Sequence, residues 1–243
     1  MARNPGNLYK GEYDTPIECI DIDEVPDFNI PDFDMNNPKE VTKYLYEIEK
    51  VCRRSFEYTQ FVSFLKNFGN LNKCSFFELV TSSGSNKVKI ELHHEPLSLF
   101  DIVEAVYNKR KSNNESLHIE MVAKEVMYNH YLLHIGLIPL ATTVHELVTN
   151  RFLFIPSTAV LGQWEKFIED YKPYMSVDTL ANIKSIQEHT KMYNFDEETK
   201  VLKSALVSIN VDDPEYRASL DEVFKKIKDR LNEIDSKKEV VQI

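Results

Sequence analysis

Apolar and polar positions alternate with a helical period over most of the chain. In PKEVTKYLYEIEKVCRRS, Val41, Tyr44, Leu45, Ile48 and Cys52 recur at three- and four-residue intervals, which predicts a helix from about 39 to 54. EYTQFVSFLKNF predicts a second, short helix. LFDIVEAVYNKRK predicts a third, behind Ser98 and Asp101 at capping-box spacing, and LHIEMVAKEVMYNHYLLH a fourth. CSFFELVTS and KVKIELHH flank SSGSN and predict a β-hairpin with a Gly-containing turn. GLIPLA reads as a short buried strand, and TTVHELVTN as a helix opened by Thr143 and Glu146. Helices are also predicted near 160–171 and 177–190. Asp213 and Pro214 supply an N-cap and a first-turn proline for a charged helix to about 234.

The first 40 residues break this pattern. They hold five of the ten prolines and ten acidic against three basic side chains, a net −7, and sustain no helical apolar period. They read as an extended arm, ordered where Ile17, Ile20, Ile22, Val25, Phe28, Ile30 and Phe33 dock, on this chain or on a partner. The expected class is therefore α+β and mostly helical, with a small antiparallel β-hairpin or ββα core, an extended N-terminal arm and a helical C-terminal tail. The expected division is an acidic arm over 1–38, a core over 39–195 and a tail over 196–243. The stripe Leu220, Val223, Phe224, Ile227, Leu231 and Ile234 suits residues 214–234 to docking or to a partner helix.

Composition narrows the classes of function. With 42% hydrophobic and 11% aromatic residues in 243, the chain can build a packed core, against disorder or a fibrous repeat. No apolar run approaches the roughly 18 residues of a membrane span, and MARNPGNLYKGEYD carries no apolar signal region. No membrane partner is expected. Cys19, Cys52 and Cys74 form no metal motif and read as reduced thiols. The net charge of −10 counts against a protein that coats nucleic acid by bulk electrostatics. However, residues 41–196 carry 17 basic against 18 acidic side chains, so a small phosphate-facing site is not excluded. No Gly-rich phosphate loop and no legible Ser/His/Asp arrangement occurs.

Six of the seven histidines, His93, His94, His118, His130, His134 and His145, fall between 93 and 145. Imidazole is both the commonest metal ligand and the usual general base near neutral pH. His145 lies in HELVT, where the zinc-peptidase motif would need a second His at position 149. Thr149 stands there, and that reading is rejected. His130 and His134 are spaced to share one helix face, either as core-edge histidines or as a supplementary ligand source.

A strand ending in His93-His94, a strand GLIPLA and a helix opening TVHELV together resemble the ββα-metal core of HNH (His-Me finger) endonucleases, over roughly residues 86–150. The resemblance implies His93 and His145 as ligands of a divalent metal (Mg, Mn or Zn) and His94 as the general base that activates water. The substrate implied is a DNA phosphodiester, hydrolysed with the cation offsetting phosphate charge. Gly136 stands where the family has an orienting Asn, and Thr149 where it has a second helix His. Asn129, His130 and His134 are the possible substitutes, and Lys87, Lys89 and Arg151 the expected phosphate contacts, with Lys109, Arg110 and Lys111 close by in sequence. The Lys-, Asn- and Tyr-rich, glycine-poor composition also resembles proteins of large tailed phages.

Two functions follow. One is a divalent-metal-dependent nuclease of HNH type. The other is a non-catalytic viral interaction protein that keeps the ββα scaffold and binds protein partners through residues 1–38 and 214–234. The expected location is the host cytoplasm or the virion.

Overall fold

A computed structural model describes residues 33–192 apart from 68, 70, 78–80 and 83–87, together with residues 214 and 218. The expected arm before Phe33 and the expected tail stripe lie outside the described residues. The described part is mostly helical, with seven α-helices and a two-stranded antiparallel sheet, as the sequence pattern predicts.

Helix α1 (Pro38–Arg54) begins where Asn37 accepts a hydrogen bond from the Lys39 amide at 3.0 Å and Pro38 supplies the first helical φ. Its apolar face buries Tyr44, Leu45, Ile48, Val51 and Cys52. Ser55 ends it and starts α2 (Phe56–Asn67), its hydroxyl accepting from the Tyr58 amide. α3 (Leu99–Ser112) opens on the predicted capping box of Ser98 and Asp101. α4 (Ile119–Tyr131) packs on α1, α2 and α3. Leu99, Ile102, Val103 and Val106 of α3 meet Ile119, Val122, Ala123 and Val126 of α4 in the main core. Each large aliphatic side chain so buried contributes about 1.5–3 kcal/mol.

A charged seam ties α3 and α4 to α6 (Trp164–Tyr171). Arg110 Nη1 lies 2.8 Å from Glu125 Oε2, Lys109 Nζ lies 3.3 Å from Glu125 Oε1, and the Tyr171 hydroxyl donates to Glu125 Oε1 at 2.8 Å. Burial pushes the Glu125 carboxyl up. The bonds from Arg110 and Tyr171 outweigh it and hold the group below its ordinary value. Phe33, the first described residue, sits with its ring centroid 5.2 Å from that of Tyr44, so the described end of the arm docks on α1. α7 (Val177–Met192) completes the helices, with Ile183 reaching the main core.

Strand β1 (Ile90–His94) pairs with β2 (Leu137–Ala141), forty-odd residues downstream, in the register Ile90↔Ala141, Leu92↔Pro139, His94↔Leu137. The hairpin predicted across SSGSN falls in part outside the described residues, which omit 78–80 and 83–87. Residues 74–77 are not strand, and the described backbone contacts around the loop are the Lys73↔Thr81 bridge and the bonds from Ser82 N to Asn72 O and from Val88 N to Thr81 O. Residues Ile138, Leu140 and Ala141 offered the KVKIELHH strand a fully apolar partner, which the polar SSGSN loop could not announce. Pro139 is tolerated because its side of β2 turns away from β1. Leu137 exchanges both backbone bonds with Leu161, and the Pro139 carbonyl accepts from the Ser75 amide at 2.9 Å. Helix α5 (Thr142–Thr149) follows β2 directly, giving strand, strand and helix with α3 and α4 inserted between the strands.

Three helices end the same way. After α3, α4 and α5, the residues Asn114, Leu133 and Arg151 take φ near +56°, +52° and +60°. Each lies in a Schellman pairing, such as His134 N to Asn129 O with Leu133 N to His130 O.

Gly136 is required by close approach. A Cβ there would lie 1.9 Å from the Glu95 carbonyl oxygen and 2.8 Å from Val160 Cγ1. The same contact excludes the Asn that the HNH resemblance expects at this position. Gly136→Ala is expected to destabilise the fold by roughly 3 kcal/mol or more, from forced backbone movement, read as a lower urea midpoint at unchanged slope.

Candidate functional site on strand β1

The pleat of β1 decides where each predicted residue goes. In IELHHE, alternation sends Glu91 and His93 to one face of the sheet and Ile90, Leu92 and His94 to the other. The two adjacent histidines therefore enter different environments.

On the outer face, α5 lays His145 over His93, with ring centroids 4.8 Å apart and the rings nearly edge-on. His145 Nδ1 donates to Glu91 Oε2, and His93 Nε2 lies 3.3 Å from Glu95 Oε2. Lys89 Nζ approaches Glu91 Oε1 at 3.0 Å. The hydrogen bond from His145 holds the Glu91 carboxyl down to about 2. All four acid and imidazole side chains keep some exposure. Each ring nitrogen that faces a carboxylate carries a proton, so a neutral His93 or His145 offers its other nitrogen as one lone pair. Among the described residues, no group of three or more His, Cys, Asp or Glu is placed to hold a metal ion. Glu91 and Glu95 were not singled out in the sequence, although the spacing Glu91, His93, Glu95 is the period-two signal of one shared face.

On the inner face, His94 is buried between the sheet and α4. Its Nε2 lies 3.0 Å from Nε2 of His130, which is fully buried. His130 Nδ1 lies 2.8 Å from the Val126 carbonyl oxygen, and a carbonyl can only accept. His130 therefore carries its proton on Nδ1, its Nε2 is the acceptor, and His94 donates from Nε2. Tyr58 stacks on the His94 ring at 6.2 Å, while Tyr58 and Phe61 each meet the His130 ring edge-on at 5.7 Å. Burial, then the neighbouring His130, pushes His94 well below its ordinary value, and burial pushes His130 down to about 4. The pair is neutral near pH 7 and joins β1 to α4.

The other predicted residues lie apart from this pair. Asn129 donates to the Glu125 carbonyl and to the Tyr171 hydroxyl at 3.0 Å, in the seam with α6. Lys109 and Arg110 are bound into the same seam. His134 does not share a helix face with His130, because α4 ends at Tyr131 and Leu133 reverses the chain. Arg151 is exposed at the left-handed turn after α5, and Lys87 lies outside the described residues. The structure thus brings His93 and His145 together, and separately His94 and His130.

The inner pair has a pH signature. An unfolded imidazole takes its proton near 6.5, whereas His130 in the fold holds out to about 4. Between those values the unfolded chain binds more protons, so stability is full above about pH 6.5 and falls as pH drops toward 4. The expected loss is on the order of 3 kcal/mol for His130, measured as urea midpoints over that range. In His94→Leu/His130→Leu, which removes both partners together, that slope is expected to flatten.

No curated protein and no solved structure matches the chain. The sequence does match the model of the bacteriophage G278-like virion protein family, over residues 15–237. That span takes in the strand–strand–helix core, the whole helical body and most of both terminal segments. The chain is of phage origin and belongs to the bacteriophage G278-like virion protein family.

Proposed function

We infer that the protein is a non-catalytic structural component of the phage virion, whose α+β core presents residues 1–38 and 214–234 to protein partners. The observation that carries this reading is the extent of the family match, 15–237, which includes the acidic arm and the amphipathic tail with the core. The inner histidine pair supports it. His94, the base that hydrolysis would need, is buried between the sheet and α4 with its Nε2 hydrogen bond given to His130. A second reading, a divalent-metal-dependent DNA nuclease of HNH type, draws on the approach of His93 and His145. In that reading these two hold the cation, and Lys87, Lys89 and Arg151 meet phosphate.

One preparation tests both. Deleting residues 1–31 leaves Phe33 on Tyr44 and the Asn37 cap in place, so a cooperative melt is expected to persist. Incorporation of the shortened chain into phage particles is expected to drop at least tenfold, and incorporation at the full-length level would remove the arm from the reading. The full-length protein is expected to leave supercoiled plasmid intact in Mg²⁺ and Mn²⁺. Nicking that His93→Ala abolishes would establish the nuclease instead.

A further inference from the structure

The described residues form two separate apolar clusters, and α5 belongs to the smaller one. The main core joins α1, α2, α3 and α4 with Phe167 and Tyr171 of α6 and Ile183 of α7. The second cluster gathers Cys74, Ile90, Ile138, Leu140, Val144 and Ile155 about the sheet. α5 packs on β1 and β2.

The hold on α5 is slight. Of its eight residues Val144 alone is buried, and Ala141 ahead of it provides no side-chain cap. Val148 and Leu153 are partly covered, whereas Leu147 and Phe152 are 41% and 81% exposed. The segment thus turns larger apolar side chains outward than the one it buries. A helix of this length does not stand alone in water, and elements with few buried apolar side chains open at the lowest free energy.

Both flanks of the segment are anchored. The Thr142 amide donates to the Lys89 carbonyl at 3.2 Å, in line with the sheet register. On the far side the Phe154 ring lies 5.4 Å from that of His189 on α7, and the Ser157 amide donates to Thr190 Oγ1 at 3.1 Å. Between these points, the bonds from Arg151 N to Val148 O and from Phe152 N to Leu147 O make α5 and its turn one body. That body is tied to the sheet by the hydrogen bond from His145 Nδ1 to Glu91 Oε2, with the His145 ring against His93. The two bonded side chains are 29% and 25% exposed, so water competes for the bond and its net contribution is small.

We propose that residues 143–153 form a flap that swings off the sheet while the helical body stays closed, with the His145–Glu91 bond as its latch. Opening parts His145 from His93 and bares the sheet face that carries Ile138. The device is a property of the fold and holds under either reading of function.

Hydrogen exchange and a buried thiol test it on the full-length protein. After correction for intrinsic rates, the amides of α5 are expected to exchange about tenfold faster, or more, than those of α1 and α4. The thiol introduced by Val144→Cys is expected to react with a disulfide reagent faster than Cys52, which is buried in the main core. Glu91→Ala is expected to speed both α5 readouts about threefold, the share of one modest hydrogen bond, and to leave α1, α4 and Cys52 unchanged. Exchange of α5 at the rate of α1 and α4 would mean a single cooperative unit. Fast exchange with a Val144→Cys thiol as slow as Cys52 would mean a helix that frays without lifting. α5 rates unmoved by Glu91→Ala would remove the latch. Each of these three outcomes overturns the proposal.

Discussion

The pleat of β1 is the constraint on which the rest of the molecule depends. Five residues, Ile90 to His94, divide their side chains between two faces, and the pairing with Leu137–Ala141 fixes that division. A slip of one residue would place Glu91 and His93 in the helical core and Leu92 and His94 outside. The core would then hold an unpaired carboxylate in place of two groups that fit it. Register is therefore set by burial as much as by backbone bonds. The Leu92–Pro139 and His94–Leu137 pairs face the main core, and His93–Ile138 faces α5.

That division gives the adjacent histidines different chemistry. His93 shares its face with two carboxylates and His145, all partly open to solvent. His94 shares its own with a second neutral imidazole and two aromatic rings, Tyr58 and Phe61. The inner pair is a satisfied polar bond in an apolar layer, with one donor, one acceptor and a tautomer imposed by the Val126 carbonyl. Such a bond is worth little net in forming but costs more if either partner is left alone. The outer cluster is different in kind, since its imidazoles each retain one nitrogen not facing a carboxylate.

Much of the helical frame was legible in the sequence because it rests on local signals. The Ser98–Asp101 box and the three- and four-residue apolar intervals of α1 act within a turn or two. The partner of β1 was not legible from the turn next to it. Strand pairing is decided by where buried apolar surface can be matched, and the match for KVKIELHH lay beyond two inserted helices. The candidate site was half legible. The approach of His145 to His93 was implied by the resemblance of the strand, strand and helix order to a ββα core, whereas the pairing of His94 with His130 depended on how α4 crosses the sheet, which periodicity does not encode. The end of α4 was missed because the reversal falls on Leu133, a residue type that ordinarily continues a helix.

The helix ends at Asn114, Leu133 and Arg151 bear on the state that competes with the fold. Each adopts a left-handed backbone that glycine would reach without strain, and the whole chain has only six glycines. Side chains at these positions raise the energy of the native turn, and they also deprive the unfolded ensemble of the extra conformations that glycine would bring. The two effects oppose each other. A glycine-poor chain can therefore carry several strained reversals, because part of their cost is matched by the stiffness of the polypeptide it folds from.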